Sequence, residues 1–245
     1  MIPYGRQTIS EDDIQAVVDV LRSDFLTQGQ AVPQFEQALA GYVHAQYAVA
    51  VNSGTSALHL ACLALGLGSG DCLWTSPNTF VASANCGLYC GAQVDFVDID
   101  PDTYNISIAA LAQKLAVAEQ QGKLPKIVVP VHFAGQSCDM QAIAKLAKQY
   151  DFYVIEDASH AIGGQYQQQA IGCCQYADIT VFSFHPVKII TTAEGGVAVT
   201  NQLPLAEQMQ LLRSHGITRD VSRMSHEPDG SWYYQQQDLG FNYRM

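Results

Sequence analysis

The sequence is poor in charge, and above all in positive charge. Only 14% of its 245 residues are charged, and 12 lysines and arginines stand against 23 aspartates and glutamates, which gives a net charge of −11. The densest basic group is Lys123 with Lys126. Nucleic-acid-binding proteins usually carry a clustered basic surface, so we expect no nucleic-acid partner. An anionic ligand would be held by a few placed donors instead.

Long apolar runs and paired cysteine motifs are also absent. No stretch of apolar residues is long enough to span a membrane, and the segment from Met1 to Arg6 contains no apolar signal region. The seven cysteines are an odd number and include no Cys-x-x-Cys pair. We therefore expect a cytoplasmic protein with reduced thiols, no metal site and no membrane association.

Apolar residues are plentiful, at 48% of the chain, and they are arranged in an alternating pattern. Seven short runs have the length and composition of strands: Tyr47 to Val51, Cys72 to Thr75, Val94 to Val97, Ile127 to Val131, Tyr153 to Glu156, Ile179 to Phe184 and Gly196 to Thr200. Seven helical patterns lie around them: Ser10 to Ser23, Pro33 to Val43, Ser56 to Leu65, Ala82 to Tyr89, Ile108 to Gln120, Met140 to Gln149 and Leu205 to Ser214. This alternation predicts an α/β fold with a mostly parallel seven-stranded sheet and helices on both faces.

Ligands of such sheets bind at the carboxyl ends of the strands. The segment from Asn52 to Leu58 lies at the carboxyl end of the first predicted strand. Small polar residues follow the strand and precede a helix, so backbone N–H groups and the positive end of the helix dipole could bind a phosphate. An ordinary capped turn has the same pattern and is favoured on this segment alone. The glycine motifs of nucleotide-binding loops are absent, which argues against a nucleotide cofactor.

A second strand end carries acidic residues. Glu156 and Asp157 close an apolar strand, where an acid can pair with a cation or with a protonated ring nitrogen. A helix-capping role is an equally good reading of Asp157 in isolation. His160 follows on the same turn, and its role depends on these neighbours.

A third strand end carries Lys188. It is one of six lysines, and the only one of them that follows a buried apolar strand, beside Ile189 and Ile190; the other five are expected to be solvated. Desolvation lowers the pKa of a lysine and makes it a nucleophile suited to Schiff-base chemistry. A strand-end lysine whose amine reaches solvent is the alternative. A phosphate-binding turn, a strand-end acid and such a lysine together match the needs of pyridoxal 5'-phosphate.

These segments resemble the aminotransferases of the DegT/DnrJ/EryC1 family, which are fold-type I pyridoxal-phosphate enzymes acting on nucleotide-linked keto sugars. The resemblance runs from Pro3 to Met245 and is carried by five motifs: Ser53 to Leu58, Glu156 to His160, Ser183 to Lys188, Glu194 to Gly196, and Asn242-Tyr243-Arg244-Met245. It implies an N-terminal segment over residues 1–30 and the large cofactor-binding domain over residues 31–245. Family members continue beyond the last motif with a smaller domain, which we expect this sequence to lack.

The resemblance also implies residue roles. Lys188 and Asp157 would be catalytic, Lys188 as the cofactor-binding amine that moves the proton and Asp157 as the partner of the pyridine nitrogen. The residues expected to contact the cofactor are Gly54, Thr55, Phe80, Asp157, His160, Ser183, Lys188 and Asn242, the last in the partner subunit of a homodimer. Those expected to line the sugar-nucleotide site are Tyr4, Asp24, Phe25, Leu26 and Thr27.

The activity implied by the resemblance is transfer of an amino group to a sugar. The donor would be an amino acid such as L-glutamate, and the acceptor C4 of a UDP-linked 4-keto-6-deoxy-N-acetylhexosamine, as in pseudaminic acid biosynthesis. Two alternatives stay open. The chain could act on another nucleotide-linked keto sugar, or it could be a catalytically silent remnant that binds the cofactor or a partner chain.

Overall fold

The computed structural model describes residues 5–245, so the predicted sugar-site residue Tyr4 lies outside the described residues. The helices in this range are α1 (Glu11–Arg22), α2 (Ala31–Val43), α3 (Gly54–Ala64), α4 (Ala82–Tyr89), α5 (Ile108–Gln121), α6 (Met140–Tyr150) and α7 (Leu203–Arg213). The strands are β1 (Tyr47–Val51), β2 (Cys72–Thr75), β3 (Gln93–Phe96), β4 (Ile127–Val129), β5 (Tyr153–Asp157), β6 (Gln165–Tyr166), β7 (Gln169–Ala170), β8 (Ile179–Ser183), β9 (Gly196–Thr200), β10 (Ile217–Thr218) and β11 (Gln235–Gln236).

Seven of these strands form one sheet in the order β1-β9-β8-β5-β4-β2-β3. Strands β3, β2, β4, β5 and β8 pair in parallel, which confirms the prediction of a mostly parallel α/β sheet. All seven predicted strands and all seven helices are present, with ends that differ by two residues at most, as boundaries commonly do.

Strand β9 runs antiparallel to both of its neighbours, β1 and β8. The segment between β8 and β9 contains no helix and joins these two neighbouring strands directly. A direct return of the chain reverses the strand direction, whereas a parallel pair needs a crossover. The segment that makes this return carries Lys188.

Helices cover both faces of the sheet because successive strand residues point to opposite sides. In β1, Val49 and Val51 pack into the core under α3, α4 and α7. Ala48 and Ala50 of the same strand pack into the core under α2 on the other face. A third core cluster, under α5 and α6, covers that face at the β2-β4 side.

Two short antiparallel pairs of strands lie outside the large sheet. The polar residues 165–169 fall in the antiparallel pair β6–β7, and the stretch 218–237 ends in the pair β10–β11. Two lysines expected to be solvated are instead ion-paired: Lys114 with Asp95 and Lys126 with Asp71. Among residues 5–245, no helix combines the length and apolarity needed to cross a membrane.

Candidate active site

A cavity of about 380 Å³ lies at the carboxyl ends of β4, β5 and β8. Helices α3 and α4 contribute their N-terminal residues to its wall, and the segment between β8 and β9 closes another side. Seven of the eight predicted cofactor-contacting residues line this one cavity: Gly54, Thr55, Phe80, Asp157, His160, Ser183 and Lys188.

The N-terminus of α3 forms one end of the cavity. The hydroxyl of Ser53 accepts the amide N–H of Ser56 at 3.1 Å and so caps the helix. Gly54 and Thr55, whose amides have no partner inside a helix, line the cavity. A capped helix end with donors and the positive end of a dipole is suited to an anion.

Two glycines allow this helix end to lie close to the sheet. A Cβ on Gly54 would come within 3.0 Å of the Ser183 Cβ, and a Cβ on Gly196 would overlap the backbone of Ser53 and Gly54. Gly54 and Gly196 are therefore required for the close packing of this helix end against the sheet. They bring the hydroxyl of Ser183, at the end of β8, to the same corner as the α3 amides.

Asp157 is buried, with 4% of its surface exposed, at the end of β5. Its Oδ2 accepts the hydroxyl of Ser83 at 2.7 Å, and its Oδ1 accepts the hydroxyl of Ser159 at 2.6 Å. Oδ1 also accepts the amide N–H of Ser159 at 3.2 Å. Neutral donors thus hold the carboxylate in place, and no salt bridge to Asp157 is present within the described residues. A carboxylate can accept a further donor beyond these three, so Asp157, which lines the cavity, has acceptor capacity to spare.

Lys188 lies half-buried on the opposite wall. Burial lowers the pKa of its amine below the ordinary value, and the Asp157 carboxylate opposes this shift only in part. The direction agrees with the expected desolvation, and the preceding strand β8 is buried as expected, but the two isoleucines contribute little. Ile189 and Ile190 are 62% and 50% exposed, so the cavity wall, rather than these two side chains, takes water away from Lys188.

His160 and Phe80 lie at the edge of the cavity. Burial and the nearby Lys188 amine lower the pKa of His160, while Asp157 raises it. The net effect keeps the imidazole neutral at neutral pH. Phe80 lines the cavity yet is 71% exposed, so its ring is available to a ligand rather than used in the core.

The structure does not bring the remaining predicted residues to the cavity. Residues 24–27 are exposed after α1, with Phe25 at 66% and Leu26 at 69%. Asn242 is exposed too and forms a β-bridge with Ser214, while its Oδ1 accepts the Arg244 guanidinium at 3.2 Å. Within one chain, these residues and the cavity are separate.

Sequence reasoning missed His132, which lines the cavity from the chain just after β4. It is fully buried, its Nε2 lies 2.7 Å from Glu156 Oε1, and its Nδ1 lies 3.1 Å from the amide of Cys138. Its place at a strand's carboxyl end was the available signal. Ser83 and Ser159 were missed as well, because nothing in their local sequence identifies them as donors to Asp157.

The protonation state of His132 follows from the hydrogen-bond partners of its two ring nitrogens. Burial lowers its pKa, whereas hydrogen bonds with Cys138 and Glu156 raise it. The amide N–H of Cys138 points at Nδ1, so a proton there would face another donor. We therefore assign the neutral ring, with its proton on Nε2 donated to Glu156.

An α/β sheet with a cavity at its strand ends, a capped helix terminus, a buried carboxylate and a half-buried lysine defines a class of cofactor-dependent enzymes. Residues 7–245 match the DegT/DnrJ/EryC1/StrS aminotransferase family. The chain belongs to this family.

Three relatives illustrate the similarity. The UDP-4-amino-4,6-dideoxy-N-acetyl-beta-L-altrosamine transaminase of Campylobacter jejuni serotype O:23/36 is 42% identical over 245 residues, which are all of this chain and 61% of that protein. The Helicobacter pylori PseC structure, an aminotransferase involved in the biosynthesis of pseudoaminic acid, superposes with a TM-score of 0.89 at 34% identity and covers 99% of this chain and 61% of that one. The PMP-form of the sugar aminotransferase Spr1654 from Streptococcus pneumoniae superposes with a TM-score of 0.88 at 32% sequence identity. This match covers 100% of the present chain and 64% of that one. The chain thus spans less than two thirds of each relative's length.

Proposed function

We propose that this chain is the cofactor-binding part of a pyridoxal-phosphate-dependent sugar-nucleotide aminotransferase. The amino group would pass from L-glutamate to C4 of a UDP-linked 4-keto-6-deoxy-N-acetylhexosamine, as in pseudaminic acid biosynthesis. Residues 31–245 would form the cofactor domain, and residues 1–30 an N-terminal segment. One observation carries the proposal: Lys188, Asp157 and the N-terminus of α3 line the same cavity.

The anion end of the cavity fits the phosphate of the cofactor. The Gly54 and Thr55 amides and the Ser183 hydroxyl supply neutral donors. Gly54 also leaves the space that a Cβ would fill. These residues would bind the phosphate by hydrogen bonds and the helix dipole rather than by a basic cluster, which agrees with the scarcity of positive charge.

The other end of the cavity fits a protonated ring nitrogen. Asp157 is buried and held by two hydroxyls, so its carboxylate is oriented before a ligand arrives. An ionised carboxylate in a site with little water stabilises a positive charge far better than in bulk solvent. Phe80 would stack on the ring, and His160 would lie near the face of the ring or its phenolic oxygen.

Pyridoxal phosphate, when bound, supplies an electron sink that weakens bonds at the α-carbon of the amino acid. The chain's own contribution is proton movement at Lys188 Nζ. Because burial lowers the pKa of this amine, a larger fraction is neutral at physiological pH than for an exposed lysine. A neutral amine can accept a proton and return it, as a general base and then a general acid.

The sugar-nucleotide site and the partner subunit complete the proposal. Residues 24–27 and Asn242 are exposed and outside the cavity of their own chain. A homodimer in which each chain offers these residues to its partner's cavity would account for both facts. We propose that Asn242 contacts the partner's phosphate and that Asp24, Phe25, Leu26 and Thr27 line the sugar site.

The test is a half-reaction. The purified chain is loaded with pyridoxal phosphate, mixed with L-glutamate, and the 2-oxoglutarate released is measured against cofactor bound. We expect stoichiometric release from the unaltered chain and from Lys148→Ala, whose lysine is exposed on α6. Lys188→Ala should release none. Release by Lys188→Ala, or none from a chain that binds the cofactor, would contradict the proposed aminotransferase mechanism.

A second experiment separates the substrate alternatives. Charged enzyme is offered a panel of UDP-, dTDP- and GDP-linked 4-keto sugars, and amino-sugar product is measured. Preference for the UDP-linked 4-keto-6-deoxy-N-acetylhexosamine supports the proposal, and preference for another sugar supports the first alternative. Because the sugar-site residues lie outside the cavity, the cofactor half-reaction and the sugar preference are independent readouts.

A further inference from the structure

Two hydroxyl groups connect the wall of the cavity to Asp157. Thr79, which lies just before α4, lines the cavity. Its Oγ1 lies 2.8 Å from the hydroxyl oxygen of Ser83, and that hydroxyl lies 2.7 Å from Asp157 Oδ2. Ser83 is fully buried in the first turn of α4. We call Thr79 and Ser83 the hydroxyl chain.

The protons of the hydroxyl chain are placed by counting donors. An ionised carboxylate only accepts, and a serine hydroxyl has one proton to donate. Because Ser83 donates this proton to Asp157, its oxygen is left to accept the hydroxyl of Thr79. The donors therefore run one way, from Thr79 to Ser83 to Asp157, and each hydrogen bond in such a series strengthens the next.

Ser83 contacts both sides of the proposed ring site. A serine in a helix can donate to a carbonyl of its own helix, but the Ser83 hydroxyl instead reaches an acid 74 positions away. Its amide N–H donates to the carbonyl of Phe80 at 3.2 Å. Ser83 thus connects Asp157 and Phe80, the two residues proposed to contact the ring nitrogen and the ring face of the cofactor.

The two oxygens of the Asp157 carboxylate are not equally occupied. Oδ1 accepts both the hydroxyl and the amide N–H of Ser159. Among residues 5–245, Oδ2 accepts only the hydroxyl of Ser83. Each carboxylate oxygen has about two acceptor sites, so the free site is on Oδ2. The oxygen with room for a ligand is therefore the one that the hydroxyl chain holds.

Donors on a carboxylate also change how it shares a proton with a base. Hydrogen bonds to the ionised form of an acid favour that form. Because Asp157 accepts three such bonds, it competes less strongly for a proton that lies between it and a ring nitrogen. The proton then stays on the nitrogen, and the ring keeps its positive charge.

We propose that Ser83 is a positioning residue for Asp157 and that Thr79 supports it. Through the hydroxyl chain the protein fixes Oδ2 in place, keeps the acid ionised and leaves the shared proton on the ring nitrogen of the cofactor. This inference rests on the proposed function, because it concerns the pyridine nitrogen of pyridoxal phosphate. In a merely structural role, the hydroxyls would satisfy buried polar groups without affecting that nitrogen.

The protonation of the ring nitrogen is measured by nuclear magnetic resonance. Pyridoxal phosphate labelled with nitrogen-15 in its ring is bound to the full chain, and the nitrogen resonance is compared with protonated and neutral pyridine references. We expect the unaltered chain to show the protonated position at neutral pH. In Ser83→Ala the resonance should move towards the neutral position. In Thr79→Val it should move the same way but less, because Thr79 acts through Ser83.

Two control variants separate positioning from stability. Thr75→Val removes a buried hydroxyl that donates to the carbonyl of Val129 at 2.8 Å, and Thr75 does not line the cavity. This variant should lower the free energy of unfolding and leave the resonance unmoved. Thr79→Ser keeps the hydroxyl, so its resonance should stay close to that of the unaltered chain. If Ser83→Ala behaved like Thr75→Val, the positioning role would be overturned.

Turnover and cofactor affinity should respond differently to Ser83→Ala. We expect the rate of 2-oxoglutarate release to fall about tenfold, which corresponds to the weaker end of a hydrogen bond to a charged group. Affinity for pyridoxal phosphate should be largely kept, because the phosphate end of the cavity is unchanged. An unchanged rate, or a large loss of affinity without movement of the resonance, would contradict the positioning role.

Asp157→Asn separates failure of this inference from failure of the proposed function. A neutral ring nitrogen in the unaltered chain, or a resonance that Asp157→Asn leaves unmoved, would contradict the proposed role of Asp157 itself. If Asp157→Asn moves the resonance while Ser83→Ala and Thr79→Val do not, only the positioning role is overturned. Should Ser83→Ala fail to fold, Thr79→Val, at a partly exposed position, decides between these outcomes alone.

Discussion

Two adjacent carboxylates, Glu156 and Asp157, end the same strand and have opposite surroundings. Glu156 accepts the His132 ring at Oε1 and the Thr180 hydroxyl at Oε2, and it is buried on the far side of the sheet. Asp157 accepts the hydroxyls of Ser83 and Ser159 and the amide N–H of Ser159, and it faces the cavity. Side chains alternate along a strand, so neighbours of like charge can have unlike roles. We interpret Glu156 as structural and Asp157 as the acid left available for a ligand.

Asp157→Asn gives the sharpest test of this comparison. Asparagine keeps the shape and can still accept from one hydroxyl, but it removes the charge that would stabilise a protonated ring nitrogen. We expect turnover to fall by a factor on the order of 10² to 10³, while cofactor binding is largely kept. The measurement is the rate of 2-oxoglutarate release at saturating cofactor. Unchanged turnover would make Asp157 a structural cap.

Glu156→Gln should have the opposite effect: the protein should lose stability but keep its turnover. The amide nitrogen of glutamine would place a donor against either His132 or Thr180, so one buried hydrogen bond to a charged group is lost. We expect a loss of about 1.5–3 kcal/mol in the free energy of unfolding, with turnover essentially unchanged in the folded fraction. Urea unfolding and the half-reaction measure the two quantities. A loss of turnover without a loss of stability would break the distinction between the two acids.

Gly54→Ala tests the anion end of the cavity. An added Cβ, 3.0 Å from that of Ser183, would push the helix end away from β8 and weaken the phosphate contacts. We expect cofactor affinity to fall about tenfold, or about 1.4 kcal/mol. Fluorescence titration with pyridoxal phosphate measures this affinity. An unaltered affinity would show that Gly54 does not contribute to the phosphate site.

Gly41→Ala is the matched control for Gly54→Ala and has the smallest expected effect. Gly41 lies in α2, where an added Cβ meets nothing within 4 Å. Alanine in a helix is more favourable than glycine by up to about 1 kcal/mol, so the free energy of unfolding should rise slightly and cofactor affinity should not change. A fall in stability would show that the added Cβ at position 41 meets other atoms of the protein.

The sequence allowed the prediction of features that depend on local pattern. Strand positions followed from apolar runs, and most of the cavity residues followed from small or polar residues placed just after those runs, whereas Phe80 was predicted only through the family resemblance. Features that depend on contacts distant in the chain were missed. His132 is recognisable only beside Glu156, 24 positions away, and Ser83 only beside Asp157, 74 positions away.

Exposure was the second weakness of sequence reasoning. Ile189 and Ile190 were expected to bury Lys188 because they are apolar, yet both are exposed. The reversal of β9 was likewise not predictable from its own composition, which is as apolar as that of the neighbouring strand β8. It follows from the direct connection between β8 and β9, which is a feature of the connecting segment rather than of the strand.

We assign Lys188 as the reactive amine of the cofactor cavity, and reductive trapping tests this assignment. The chain is mixed with pyridoxal phosphate, reduced with borohydride and digested, and the pyridoxyl group is assigned among the six lysines. The account predicts near-stoichiometric labelling of Lys188, with only traces on exposed lysines such as Lys145 and Lys148. Labelling spread evenly over the lysines, or concentrated on another one, would contradict it.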